Sequence, residues 1–163
     1  MSTANTLEIT TPSEREIRIV RRFAASRPLV FRAFTEPRLI RQWLLGPPGW
    51  TMPVCEVDLS VGGRFRYVWS RAGGTDMGVT GTFVEILPPE KLVHTELFDE
   101  DWTGGETTVT TLLVEEAGST RVDLTVLHVS REARDGAIAT GMTDGMESGY
   151  ARLDELLRKL GVG

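Results

Sequence analysis

The chain is poor in the residues that most often carry chemistry. It has one cysteine, Cys55, and two histidines, His94 and His128, in 163 residues. A single cysteine excludes an intrachain disulfide and a disulfide-built secreted scaffold, and fits a reducing, cytoplasmic setting. These few residues make no metal-ligand pattern, and His94 with Glu96 lacks a third donor, so no metal and no cofactor is expected. Basic charge is also short: 18 Lys and Arg stand against 23 Asp and Glu, a net charge of -5. Phosphate backbones need a basic patch, so no nucleic-acid partner is expected. No apolar run approaches the roughly 20 residues of a membrane span. The opening MSTANTLEITTPSERE has no apolar core of a signal peptide. The Gly62-Gly63 pair leads into a strand pattern rather than a helix, which excludes a phosphate loop, and no nucleophile elbow is present.

What is present reads as one ordinary globular domain, with 40% hydrophobic and 25% charged residues. Residues 1–13 are polar and Thr-rich, a flexible tail; the domain is taken as residues 14–160. In Glu16–Ala24, Ile17, Ile19 and Phe23 alternate with arginines, a strand with one wet face. Ser26 with Pro28, then Thr35 with Pro37, signal two short helices, the second striped by Leu39, Ile40, Trp43 and Leu44. Gly46-Pro47-Pro48-Gly49 ends it. From Val54 to His128, short alternating runs are punctuated by Gly62-Gly63, Gly73-Gly74, Pro88-Pro89, Gly104-Gly105 and Gly118, the spacing of an antiparallel meander. Ser130 can cap a final helix running to about Leu160. On it Ile138, Met142, Met146 and Tyr150 share one face, and Gly141, Gly145 and Gly149 the next. That glycine row leaves room either for close helix–sheet packing or for a ligand, with equal weight.

The phrases VFRAFTEPRLIRQWLLGPPGW, CEVDLSVGGRFRYVW, GTFVEILPPEKLVHTELFDEDW and SGYARLDELL, in this order, resemble the START-like (SRPBCC) superfamily. More narrowly, the chain resembles the bacterial branch related to activators of heat-shock-chaperone ATPase, with polyketide cyclase/dehydrase-like proteins among its kin. The family's usual aromatic pair before GPPG is Trp43-Leu44 here. The resemblance implies an α+β helix-grip (Bet v-like) fold: a curved antiparallel sheet of six or seven strands wrapped round a long C-terminal helix, with two short helices after the first strand. It also implies an apolar cavity between sheet and helix, and hydrophobic ligands, lipids among them.

On that basis the expected function is binding of a small hydrophobic or aromatic molecule in the cavity. A closed hollow of about 300–1,000 Å³ is then expected. Strand alternation puts His94 and Glu96 on one face, their Cβ atoms roughly 6.5–7 Å apart, and the resemblance turns that face inward. There they would anchor a ligand's polar group or act as an acid–base pair, the second reading being a cyclase- or dehydratase-type enzyme. Tyr67, Trp69, Met77, Phe83 and Phe98 on the strands are expected to line the hollow. His128, Trp43, Met142, Met146 and Tyr150 complete its wall, and Trp50 and Trp102 lie in loops as lids. A third reading, a chaperone-cofactor interaction module, ranks last because no second domain offers a grip on a large partner. A homodimer is compatible with the sequence.

Overall fold

The computed structural model describes residues 7–100 and 102–162. In chain order they form β1 (Glu8–Thr10), β2 (Glu16–Phe23), α1 (Arg27–Thr35), α2 (Pro37–Trp43), β3 (Trp50–Val57), β4 (Arg64–Arg71), β5 (Met77–Leu87), β6 (Lys91–Phe98), β7 (Thr107–Glu116), β8 (Ser119–Leu127), α3 (Arg131–Ala139) and α4 (Met142–Val162). The strands make one antiparallel sheet in the order β1-β2-β8-β7-β6-β5-β4-β3. That is one strand more than expected: Glu8–Thr10, read as tail, pairs with Arg18–Val20 of β2. Residues 1–6 lie outside the described part.

Two local signals act differently from their sequence reading. Glu36, not Thr35, occupies the N-cap of α2. Thr35 is still in the last turn of α1, where its hydroxyl donates to the Phe31 carbonyl at 2.9 Å. The expected single C-terminal helix is two. Gly141, at φ 80°, takes the left-handed conformation that ends α3 and lets α4 begin at Met142. Ser130 caps α3 as its sequence suggests, its side chain accepting from the Ala133 N–H at 3.0 Å.

The glycine row is therefore divided. Gly141 is a helix terminator. A Cβ on Gly149 would lie 3.1 Å from the Trp43 carbonyl oxygen, and one on Gly145 would lie 3.4 Å from Pro47. At these two positions the missing side chains let α4 pack closely on the end of α2 and the segment after it.

Two apolar clusters form the core. One joins Ile17, Ile19 and Phe23 of β2 to α1, Trp43 and the Leu153–Leu157 turn of α4. The other collects Phe65, Tyr67, Trp69, Val79 and Phe83 under β4 and β5, with Ile40, Met52 and Cys55. Strand β6 runs between them.

Candidate functional site

Register across the concave face defines the site. His94 of β6 lies opposite Phe83 of β5 on one side and Val109 of β7 on the other. Val109 in turn faces Val126 of β8, and Val126 faces Ile17 of β2. Glu96 faces Thr107. Because side chains alternate along a strand, His94 and Glu96 share the face of Leu92, which is 3% exposed in the first cluster. Both side chains thus turn inward.

They do so at the seam between the two clusters. Leu92 packs into the first, whereas His94 stands edge-on to Phe65 at 5.1 Å and to Phe83 at 6.3 Å in the second. The seam is wetter than its surroundings. The His94 and Glu96 side chains keep 15% and 28% of their surface, while Ile17, Leu113 and Val122 on the same face keep 2% or less. Met142 and Met146 on α4, and Leu124 and Phe98 on the sheet, are also only half-buried. Leu124, Met142 and Met146 pack against the rim of the first cluster and Phe98 against that of the second.

His94 Nε2 and Glu96 Oε2 are 3.0 Å apart. With its proton on Nε2 the imidazole donates to the carboxylate, and Nδ1, buried and without a partner among the described residues, presents a lone pair. The Glu96 carboxylate acts on a phenol from each cluster, Tyr67 and Tyr150. Burial is the main cause that pushes both phenols well above their ordinary value near 10, and Glu96 adds to it. At neutral pH both phenols stay protonated. These are the chain's two tyrosines. Phenolate absorbance in the native protein should accordingly stay flat through pH 10 and rise only with unfolding. The unfolded chain loses its phenolic protons near pH 10 while the native protein keeps them, so stability should decline as pH rises beyond that value. A rise of absorbance near pH 10 without unfolding would show an accessible phenol.

The other expected lining residues divide into three sets. Trp43 and Tyr150 belong to the first cluster, where their rings stack at 5.8 Å and Trp43 Nε1 donates to the Ala33 carbonyl at 2.9 Å. Tyr67, Trp69 and Phe83 belong to the second, and Trp69 Nε1 donates to the Leu44 carbonyl at 2.7 Å. Trp50, Met77 and Trp102 meet at the sheet's open end. There they line a pocket of about 240 Å³ with Arg71, Asp76, Asp99 and Glu100. Trp50 starts a strand rather than lying in a loop, and the Arg71 guanidinium covers its ring at 4.9 Å. The Trp102 ring rests on Phe98 at 4.8 Å. This pocket is open and smaller than the closed hollow expected. Glu100 and Asp76 bring negative charge to the opening, and Asp99 is neutralised by a bidentate bond from Arg66.

His128 is 2% exposed, and desolvation with help from Arg134 pushes its pKa below the ordinary value. Arg21 is a feature that sequence reading overlooked. Its guanidinium, 2% exposed, donates to Asp154 at 2.8 and 3.0 Å, reaches Glu147 at 3.5 Å, and lies over the rings of Phe23 and Tyr150. It shares the alternation of Ile17, Ile19 and Phe23, and that parity was the available signal.

An eight-stranded antiparallel sheet closed on its concave side by a C-terminal helix, with a polar pair at the seam, is the helix-grip class of domain. Residues 24–158 match the family described as Activator of Hsp90 ATPase homolog 1-like protein, and the chain belongs to that family. Among solved structures it is similar to a protein from Rhodobacter sphaeroides, 35% identical over 94% of this chain and 99% of that one, with a TM-score of 0.88. A protein from Nitrosomonas europaea is 26% identical, covering 93% and 99% of the two chains at a TM-score of 0.82. A protein from Arthrobacter aurescens is 25% identical over 96% and 93% at 0.83. Among curated proteins none matches the chain. Membership supports a ligand-binding helix-grip domain in general and names no ligand. No helix among the described residues is long and apolar enough to cross a membrane.

Proposed function

We propose that the domain binds a small hydrophobic or aromatic molecule in the cleft between the concave sheet and α3–α4, with His94 and Glu96 as its polar anchor. The observation that carries this reading is the seam. The polar pair lies between two apolar clusters, which half-buried Leu44 and Ile86 both touch, and it keeps some exposure while Leu92, Phe83 and Val109 beside it are dry. Phe65 and Phe83 supply aromatic wall beside His94, and the half-buried Met142 and Met146 supply a wall that adapts to shape. A cytoplasmic setting belongs to the same reading, because the lone thiol of Cys55 is buried and unpaired.

A thermal-shift panel of aromatic and aliphatic ligands tests it. At a concentration 100 times its Kd, a ligand adds about 2.7 kcal/mol, a rise in Tm of several degrees. Glu96→Gln should weaken the response to compounds bearing a hydroxyl. If no class of compound shifts the midpoint, the reading fails. The 3.0 Å contact between His94 and Glu96 supports a second reading, proton transfer on the bound molecule by a cyclase- or dehydratase-type enzyme. Turnover that survives replacement of both residues would remove it.

A further inference from the structure

Four strand ends meet at one end of the sheet: the start of β3, the end of β4, the start of β5 and the end of β6. Register sets Trp50 opposite Arg71 and Met77 opposite Trp69, and the Asp99 N–H bonds the Gly78 carbonyl at 2.9 Å. The segment after β6 brings the Trp102 ring back onto Phe98. Between them lies the pocket of about 240 Å³. Trp50, Met77 and Trp102 give it an apolar lining, and Arg71, Asp76 and Glu100 give it charge. Neither His94 nor Glu96 lines it, so it is separate from the seam.

The charge around this pocket is unbalanced. Both oxygens of Asp99 are taken by Arg66, at 2.8 and 2.7 Å. Asp76 accepts the Ser70 hydroxyl at 2.6 Å, which leaves its charge uncancelled. Among the described residues no cation pairs with Asp76 or Glu100, and no carboxylate pairs with Arg71. Two carboxylates therefore face one guanidinium. That guanidinium lies over the Trp50 ring at 4.9 Å, seated there by the indole alone. An indole face attracts cations through its ring quadrupole, most strongly where water is displaced. Arg71 thus marks one wall of the pocket as a seat for positive charge. Trp102 supplies a second indole, with no cation of the described residues over it.

We infer that this pocket binds a small organic cation of the quaternary ammonium class, its methyl groups against Trp102, Trp50 and Met77 and its charge balanced by Asp76 and Glu100. The inference is independent of the cleft-binding reading. A primary ammonium has three N–H donors and must exchange its water for acceptors. Asp76 and Asp99 already commit acceptor oxygens to Ser70 and Arg66. A methylated cation donates no hydrogen bond and needs only aromatic walls with negative charge nearby. The size agrees. A pocket of about 240 Å³ is smaller than the roughly 300–1,000 Å³ of sites for drug-sized molecules, and suits a compact head group.

The test compares choline with 3,3-dimethyl-1-butanol, its uncharged isostere, by NMR titration of the full chain read at the indole N–H and methionine methyl signals. Choline is expected to bind at least about fivefold tighter than the alcohol, with shifts at Trp50, Trp102 and Met77 and none at Trp43. Glu100→Gln and Trp102→Leu should each weaken choline about threefold or more and leave the alcohol nearly unchanged. Glu100 is exposed, so its variant serves if the Trp102 variant does not fold. Arg71→Gln should tighten choline about threefold, because it removes a like charge and uncovers Trp50. The preference for choline should shrink at high salt, which screens exposed charges. Equal affinity for the two compounds, or binding of neither, would overturn the inference. So would choline shifts away from Trp50 and Trp102, a preference that survives both Glu100→Gln and Trp102→Leu, or weaker choline binding by Arg71→Gln. None of these results bears on the cleft along β6.

Discussion

Asp154→Ala is expected to lower the unfolding free energy by about 2–3 kcal/mol, less than for a fully buried pair because the Asp154 side chain is 29% exposed while Arg21 is 2% exposed. Arg21 is 2% exposed on the concave face of β2, and Asp154 of α4 takes both of its terminal nitrogens. Without Asp154 the guanidinium keeps the Arg22 carbonyl at 3.2 Å and the longer contact to Glu147 at 3.5 Å, made by a side chain 43% exposed. The charge would remain against the Phe23 and Tyr150 rings, where hydration is poor. Replacing both partners, Arg21→Met with Asp154→Leu, should recover most of the loss, since it leaves no stranded charge. Asp99→Ala is the contrast. That carboxylate also holds an arginine bidentately, Arg66, but its side chain is 54% exposed, so solvent screens the pair and the expected loss is much smaller than for Asp154→Ala. Guanidinium unfolding followed by tryptophan fluorescence checks all three. Equal losses for Asp154→Ala and Asp99→Ala would show that the Arg21 pair is not buried in solution.

Trp43→Ala should cost somewhat more, about 3–5 kcal/mol. The indole is 3% exposed and joins three elements. It stacks on Tyr150 of α4, meets Phe34 of α1 at 5.0 Å, and satisfies the Ala33 carbonyl. Gly149 approaches the Trp43 carbonyl from α4, so the helix cannot shift to fill the void without breaking that contact. Trp43→Phe should lose less, about 1–3 kcal/mol, mainly from the Ala33 carbonyl left unmatched. Both are stability effects. Ligand response per folded molecule should change far less than it does for Glu96→Gln, which separates a pillar of the core from a wall of the cleft. A tryptophan variant of unchanged stability that failed to bind would return Trp43 to the ligand wall.

The fold was legible in the sequence because turn chemistry and alternation agree over most of the chain. Gly62-Gly63, Pro88-Pro89 and Gly118 separate the strands where turns occur, and Ile17, Ile19, Phe65, Tyr67 and Trp69 face inward as their parity suggests. Three features were not legible, for separate reasons. Strand β1 is three exposed residues held by pairing to β2, with no apolar face of its own to announce it. The break before α4 depends on Gly141 adopting positive φ, whereas Gly145 and Gly149, at the same spacing, stay helical against Pro47 and Trp43. Arg21 sits inward because α4 brings Asp154 and Glu147 to meet it, a partnership more than 120 residues away in sequence. The site shows the same division. Parity alone left the His94–Glu96 face undecided, and only the register with Phe83, Val109 and Thr107 turns it toward the helix. The aromatic residues expected to line one hollow are shared between two clusters, because β6 separates those under β4–β5 from those against α1, α2 and α4.

If the proposed function holds, the seam along β6 admits an apolar molecule. Amide chemical-shift mapping during titration with 4-hydroxybiphenyl tests it most directly. Shifts are expected to concentrate at residues 92–98 of β6, 107–111 of β7 and 133–146 of α3 and α4, and to shrink when Glu96 is replaced by Gln. Shifts confined to the outer face of the sheet, around Val84 and Leu112, or no shifts at concentrations that saturate the protein's thermal response, would contradict it.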